Sequence, residues 1–275
     1  QRQMCIRDRM QAAVATARQQ AMLHHWDIAD ASDELESALN NFIRDPGSYH
    51  QTTLTAPTTA AALSYSTDPD WALPRPLGSS GLHIVDAITS MTDTTSCVYW
   101  IVDRLSHQGG LDANIITSQT TNLPTAALPT RATGGAGVWC AIEGYANTGA
   151  TDTTITVTYT NQSGTGSRTG TATTSNGWDI NWVNLVQLEG TDTGVRSVES
   201  VQLDVATGSS GDIGITLFKP IAMVCPGLGN MRDTWDRIIG WQESIDDEAC
   251  LNAWLDISDG RVAAERSITL GYADF

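Results

Sequence analysis

From Cys97 onward, apolar and polar positions follow the two-residue period of half-buried strands. Thr153 to Thr160 sets Ile155, Val157 and Tyr159 between threonines, and Asn161 to Gly166 turns the chain into a partner strand at Arg168 to Thr174. Cys97 to Val102 is a continuous apolar run, as in a strand covered on both faces. Gly137 to Tyr145 predicts another strand, with Glu143 inside it, and weaker strands are expected at Asn114 to Thr121 and Asn181 to Leu188. Between Val195 and Val205 the alternation is imperfect; from Val201 on, odd positions are apolar and Gln202 and Asp204 are polar. Ile213, Ile215 and Leu217 then alternate with Gly214, Thr216 and Phe218. Thr207-Gly208-Ser209-Ser210-Gly211-Asp212 is turn chemistry, which predicts a hairpin between these two strands. Ser258-Asp259-Gly260 predicts a second, joining Ala249–Ile257 to Arg261–Leu270.

The N-terminal third reads differently. Met10 to Trp26 is rich in Ala and Gln, and Ser32-Asp33-Glu34 looks like a capped helix start. Leu35, Leu39, Phe42 and Ile43 fall on one helical face, and Asp45-Pro46-Gly47 stops it. A helical segment is therefore expected over 10–47. Residues 48–96 carry Pro57, Pro69, Pro74 and Pro76 and little periodicity. They predict an extended arm or linker with a short strand at Leu82 to Ile88, laid along a neighbouring subunit. Pro220 to Ser244 reads as irregular, with one helical turn at Trp235 to Ile239. The whole predicts a mainly β chain: an antiparallel β-sandwich or jelly roll over 97–275, preceded by a helical segment and an arm.

Composition narrows the function. The chain of 275 residues has a formal net charge of -16, which argues against nucleic acid as a main partner. No apolar run is long enough to cross a bilayer as a helix. Residues 1–9, QRQMCIRDR, resemble a translated sequencing adapter and are set aside from fold reasoning; without them the charges stand at 12 positive and 30 negative. Cys97, Cys140, Cys225 and Cys250 are widely spaced and read as small buried hydrophobes rather than a disulfide framework or a zinc site.

Several residue groups could carry chemistry. Asp192-Thr193-Gly194 spells the aspartic-protease triplet, but that reaction needs two carboxylates sharing a proton, so a homodimer would have to supply the second. Gly134-Gly135-Ala136-Gly137 lacks the Lys-Ser/Thr of a phosphate loop. Asp256, Ser258 and Asp259 have the wrong spacing for a calcium loop. Asp103-Arg104 followed by His107 and Gly109-Gly110 reads as a structural ion pair and a glycine turn ending the first strand, in preference to a catalytic His with Asp. His24 and His25, on different faces of a helix, make poor joint metal ligands. Asp246-Asp247-Glu248 reads as a solvated acidic loop that caps nothing. Trp178 and Trp182, two even positions that share a face on a strand, are candidates for stacking on a glycan or for partner contact. No catalytic residue, metal site or cofactor is expected from these patterns.

Four segments carry a resemblance. They are Tyr99 to Leu111 (YWIVDRLSHQGGL), Thr148 to Thr169 with Ile155–Thr165 at its centre, Gly190 to Leu217 with Asp192-Thr-Gly194-Val-Arg196-Ser-Val198, and Asp247-Glu-Ala-Cys250-Leu251. In this order they resemble a group of tailed-bacteriophage virion structural proteins, over about Cys97 to Leu270. The resemblance implies a non-enzymatic capsid- or tail-associated β protein of the virion, such as a decoration, cement or minor head protein. Its implied partners are further copies of itself (a homo-oligomer) and other phage capsid or tail proteins. The alternatives kept open are a glycan-binding receptor-recognition module and, behind it, a dimeric aspartic protease-like enzyme.

Overall fold

The computed structural model describes residues 24–28, 41–44, 61–67, 72, 82–91, 97–123, 128–174, 182–224, 231–234, 244–257 and 266–274. These form fifteen strands: β1 (His24–Ile28), β2 (Asn41–Arg44), β3 (Ala61–Ala62), β4 (Leu82–Met91), β5 (Cys97–Asp112), β6 (Gln119–Leu123), β7 (Trp139–Gly144), β8 (Thr154–Asn161), β9 (Arg168–Thr173), β10 (Trp182–Leu185), β11 (Val195–Leu203), β12 (Asp212–Val224), β13 (Met231–Thr234), β14 (Leu251–Ile257) and β15 (Arg266–Asp274). Among the described residues the helical content is one 3-10 turn, Thr130–Ala132. Every strand pairing is antiparallel.

One sheet curls on itself. Its order is β12-β7-β10-β2-β14-β5-β3, and β5 also pairs with β12, so the pairings return to their start. β5 is long enough to serve both sides. Along one edge it meets β12, and along the other it meets β14 at 97–103 and β3 at 106–107. A second sheet, β6-β11-β8-β9, shares its core with the outer face of β5, β12 and β7. Leu105, Leu111, Cys140, Ile142, Ile213, Ile215 and Leu217 from the first sheet meet Ile155, Val157, Tyr159, Val195, Val198, Val201 and Leu203 from the second. The inner face of the curled sheet holds Val102, Ala141, Val183, Phe218 and Trp254. A third sheet has the order β1-β15-β4-β13.

Two expected hairpins are corrected. β11 pairs with β6 and β8, whereas β12 pairs with β5 and β7, so the 204–211 link crosses between sheets. β14 likewise pairs with β2 and β5, and β15 with β1 and β4. Glycine and serine permit a reversal of direction, but they do not choose the partner. Stacked sheets lie about 10 Å apart, a gap that an eight-residue link such as 204–211 spans easily. The hairpin expected around Asn161 to Gly166 does form, as β8 against β9.

The N-terminal helix is corrected where it is described: His24–Ile28 and Asn41–Arg44 are strands. Phe42 and Ile43 sit between β10 and β14 and pair with both. A short apolar run fits either period, and two hydrogen-bonded neighbours decide the matter here. The rest of 10–47 lies outside the described residues, as do residues 1–9 and the turn expected at Trp235 to Ile239. Within 48–96, the strand expected at Leu82 to Ile88 is present and runs on to Met91.

The broken alternation of β11 has a structural cause. Its register against β8 slips between Val195 and Ser197 and again between Val198 and Ser200. Arg196 and Glu199 are the extra residues, one per bulge, and each shifts which parity faces the core. Val195, Val198, Val201 and Leu203 are accordingly the buried apolar positions.

Candidate functional site: a charged cluster inside the curled sheet

The inner face of the curled sheet is apolar at one end and charged at the other. Phe218, opposite Arg104, lies next to Trp254 with ring centroids 4.4 Å apart. Beyond it, register places Thr216 beside His107 and Gly214 beside Glu143, all on the inward side. Gly214 matters because it has no side chain. A Cβ there would lie 2.5 Å from Cε2 of Tyr145 and 2.9 Å from Cα of Gly109, so the Tyr145 ring occupies that space.

The cluster is closed by hydrogen bonds. One terminal nitrogen of Arg104 forms an ion pair with Glu143 Oε2. The same nitrogen donates to Tyr145 Oη at 3.1 Å and lies 3.1 Å from His107 Nδ1. Arg104 Nε donates to Thr216 Oγ1 at 3.2 Å, and Tyr145 Oη lies 2.8 Å from His107 Nδ1. A guanidinium can only donate, so His107 Nδ1 accepts, and the proton of the neutral ring belongs on Nε2. Arg104, Glu143 and Thr216 are completely buried. The arrangement neutralises a buried cation and ties β5, β7 and β12 together.

A second pair lies on the other face of β5. Arg131 grips Asp103 through two bonds of 2.7 and 2.9 Å and donates to Leu63 O at 2.9 Å. The Cys250 N–H adds a 2.9 Å bond to Asp103 Oδ1. Burial pushes the Asp103 carboxyl above its ordinary range, against the pull of the Arg131 bonds and charge. The expected Asp103–Arg104 reading is therefore corrected. Consecutive strand residues point to opposite faces, so each of the two takes a separate partner. The glycine turn is corrected as well. Gly110, at φ 76°, sits in a bulge as β5 continues to Asp112.

The Asp192 triplet is also held in a network. Asp192 accepts from Tyr159 Oη at 2.7 Å, Asn161 Nδ2 at 2.8 Å and Arg168 Nε at 2.9 Å. The Arg168 bond leads in holding its carboxyl below the usual range. Burial first, and the bond to Asp192 next, push the Tyr159 hydroxyl up to about 12. These contacts fix the turn after β8. The acidic loop expected to cap nothing is corrected: Glu248 accepts from the Ser64 hydroxyl and, at 3.0 Å, from the Ser66 N–H. Those bonds bring its carboxyl down to about 2.

Trp178 lies outside the described residues, and Trp182 heads β10 opposite Ile43. Cys140 and Cys250 are buried. Sequence reasoning marked Arg104, His107 and Glu143 but did not join them, and it missed Arg131, Tyr145, Thr216 and Trp139. Trp139 on β7 is 37% exposed, and its ring centroid is 5.8 Å from that of Trp100. An aromatic residue heading an otherwise buried strand was its available signal. Among the described residues, no group of three or more His, Cys, Asp or Glu side chains could hold a metal ion. No family model matches the chain, and no curated protein or solved structure matches it.

Proposed function

We propose that the chain is a non-enzymatic structural protein of a bacteriophage virion, built as an antiparallel sandwich or jelly roll and bound to the capsid as a decoration, cement or minor head protein. The observation that carries this reading is how its charged side chains are used. Arg104 with Glu143, Arg131 with Asp103 and Arg168 with Asp192 each tie separate segments together. Such pairs hold a shape. A catalytic carboxylate must instead keep a lone pair or a proton for its substrate, and Asp192 already takes three donors. The order of the four segments that resemble phage virion proteins supports the same reading. The test is mass spectrometry of purified virions from the phage that carries this gene. Peptides of this chain at a stoichiometry fixed relative to the major capsid protein are expected; their absence from intact particles rejects the proposal.

A second reading, glycan recognition by a virion part, is favoured by Trp139, whose exposed ring stands at 50° to Trp100. An exposed indole can stack on a sugar ring. On this reading, glycan-array binding is lost in Trp139→Ala while the far-UV spectrum is unchanged. Equal binding by the variant removes the platform.

A further inference from the structure

Among the described residues, three arginine side chains each hold a carboxylate: Arg104, Arg131 and Arg168. Arg196 holds none. Among the described residues its side chain makes no ion pair and no hydrogen bond, and its Nε is buried without a partner. The chain has 31 acids, so a shortage of carboxylates does not account for this. A buried donor left unpaired in a folded protein calls for an explanation, and an anion held by the same guanidinium is one.

Arg196 is the extra residue of the first β11 bulge, a device that re-aims a side chain. It lies between two glycine loops. A Cβ on Gly135 would come 2.8 Å from Arg196 Cγ, and one on Gly164 would come 2.9 Å from Nη1. Both glycines have positive φ, 74° and 81°. The stem thus passes the 134–137 run, and the guanidinium ends at the 161–166 turn. Backbone bonds brace both loops. Gln162 N–H donates to Gly194 O at 3.0 Å, and Gly137 N–H donates to Thr193 O at 3.1 Å. Gln162 Oε1 accepts the Thr193 and Gly194 N–H groups, each at 3.2 Å. Asn161 Oδ1 accepts those of Ser163 and Thr165 at 3.0 and 2.9 Å.

The carboxylates nearby are already engaged. Asp192 takes its three donors, and Glu199 Oε1 accepts the Thr160 hydroxyl at 3.0 Å and the Ser167 N–H at 3.1 Å. Turning either toward Arg196 would break those bonds. Ser163 and Thr165, exposed on either side of Gly164, have hydroxyls that bond no described residue.

We propose that Arg196, with the hydroxyls of Ser163 and Thr165, binds an oxyanion group, phosphate or sulfate, at the β8–β9 turn. Guanidinium chemistry selects that class: the group is always charged, only donates, and presents a planar fork that matches such oxygens. The Gly134-Gly135-Ala136-Gly137 run, which lacks the lysine of a nucleotide loop, here gives the arginine stem room to cross. The net charge of -16 opposes anions at a distance, so binding depends on these contacts. The inference stands apart from the virion reading.

The test is NMR of the full chain. Sodium phosphate, sulfate and acetate are each added at an ionic strength held at about 0.15 M with sodium chloride. The Ser163 to Gly166 amide signals are expected to shift saturably with phosphate or sulfate, half-complete at about millimolar concentration. The ion that saturates at the lower concentration names the source. Arg196→Gln should weaken the response at least about tenfold, with signals outside the two loops unchanged. Arg196→Lys keeps the charge but loses the fork, so it should retain a weakened response; it decides the matter if Arg196→Gln fails to fold. No saturable shift, a shift with acetate alone, or an undiminished response in the variant that folds overturns the proposal. The presence of the chain in virions is judged separately, so the two readings fail independently.

Discussion

Replacing Glu143 by leucine is expected to lower the unfolding free energy by about 3–5 kcal/mol, because it leaves the buried Arg104 cation without its carboxylate. In a chain of this size, that corresponds to a fall of roughly 10 °C in the melting midpoint. Arginine cannot escape by losing its proton, so the full desolvation penalty remains. The reverse variant, Arg104→Met, should also destabilise the fold, because it takes the guanidinium away from the buried Glu143 carboxylate. The double variant Arg104→Met, Glu143→Leu should recover most of the loss, since an apolar pair of similar volume is often as stable as a buried ion pair. Denaturant unfolding of the three variants checks the order. A double variant no better than Glu143→Leu would mean that the pair fixes the packing of β5 against β7, and not merely its own charge.

How much of this was legible in the sequence varies with the kind of information needed. The alternation of β8 was fully legible, because one face packs on a core and the other faces water, and its partner β9 follows one short turn later. In β11 the bulges at Arg196 and Glu199 scrambled the parity, so the pattern blurred where the strand is most irregular. The links after β11 and β14 carried turn residues, yet pairing depends on contacts with strands far along the chain. The same limit hid the charged cluster. A glutamate inside the apolar β7 run, and an arginine three residues before a histidine on β5, were visible as oddities. Their meeting depends on β12 lying between those strands. Arg131 gave less signal still. It stands in a Thr-rich loop and looks like a surface cation until β5 brings Asp103 beneath it.

That second pair makes a prediction of opposite character. Asp103→Leu should destabilise the fold by about 3–5 kcal/mol at every accessible pH, because the Arg131 guanidinium stays charged. Arg131→Met should cost less and should make stability depend on pH. Asp103 already has a carboxyl raised by burial, and removing the Arg131 bonds and charge raises it further. A carboxyl whose folded-state pKa lies above its unfolded value binds more protons when folded, so stability falls as pH rises. In Arg131→Met, the Asp103 contribution is therefore most favourable below the unfolded value of about 4 and declines as pH climbs through the raised folded-state value. Urea midpoints measured from acid to neutral pH should show the variant approaching the wild type at the acid end and separating from it toward neutrality. A constant gap across that range would mean that Asp103 stays ionised without Arg131, held by the Cys250 N–H bond.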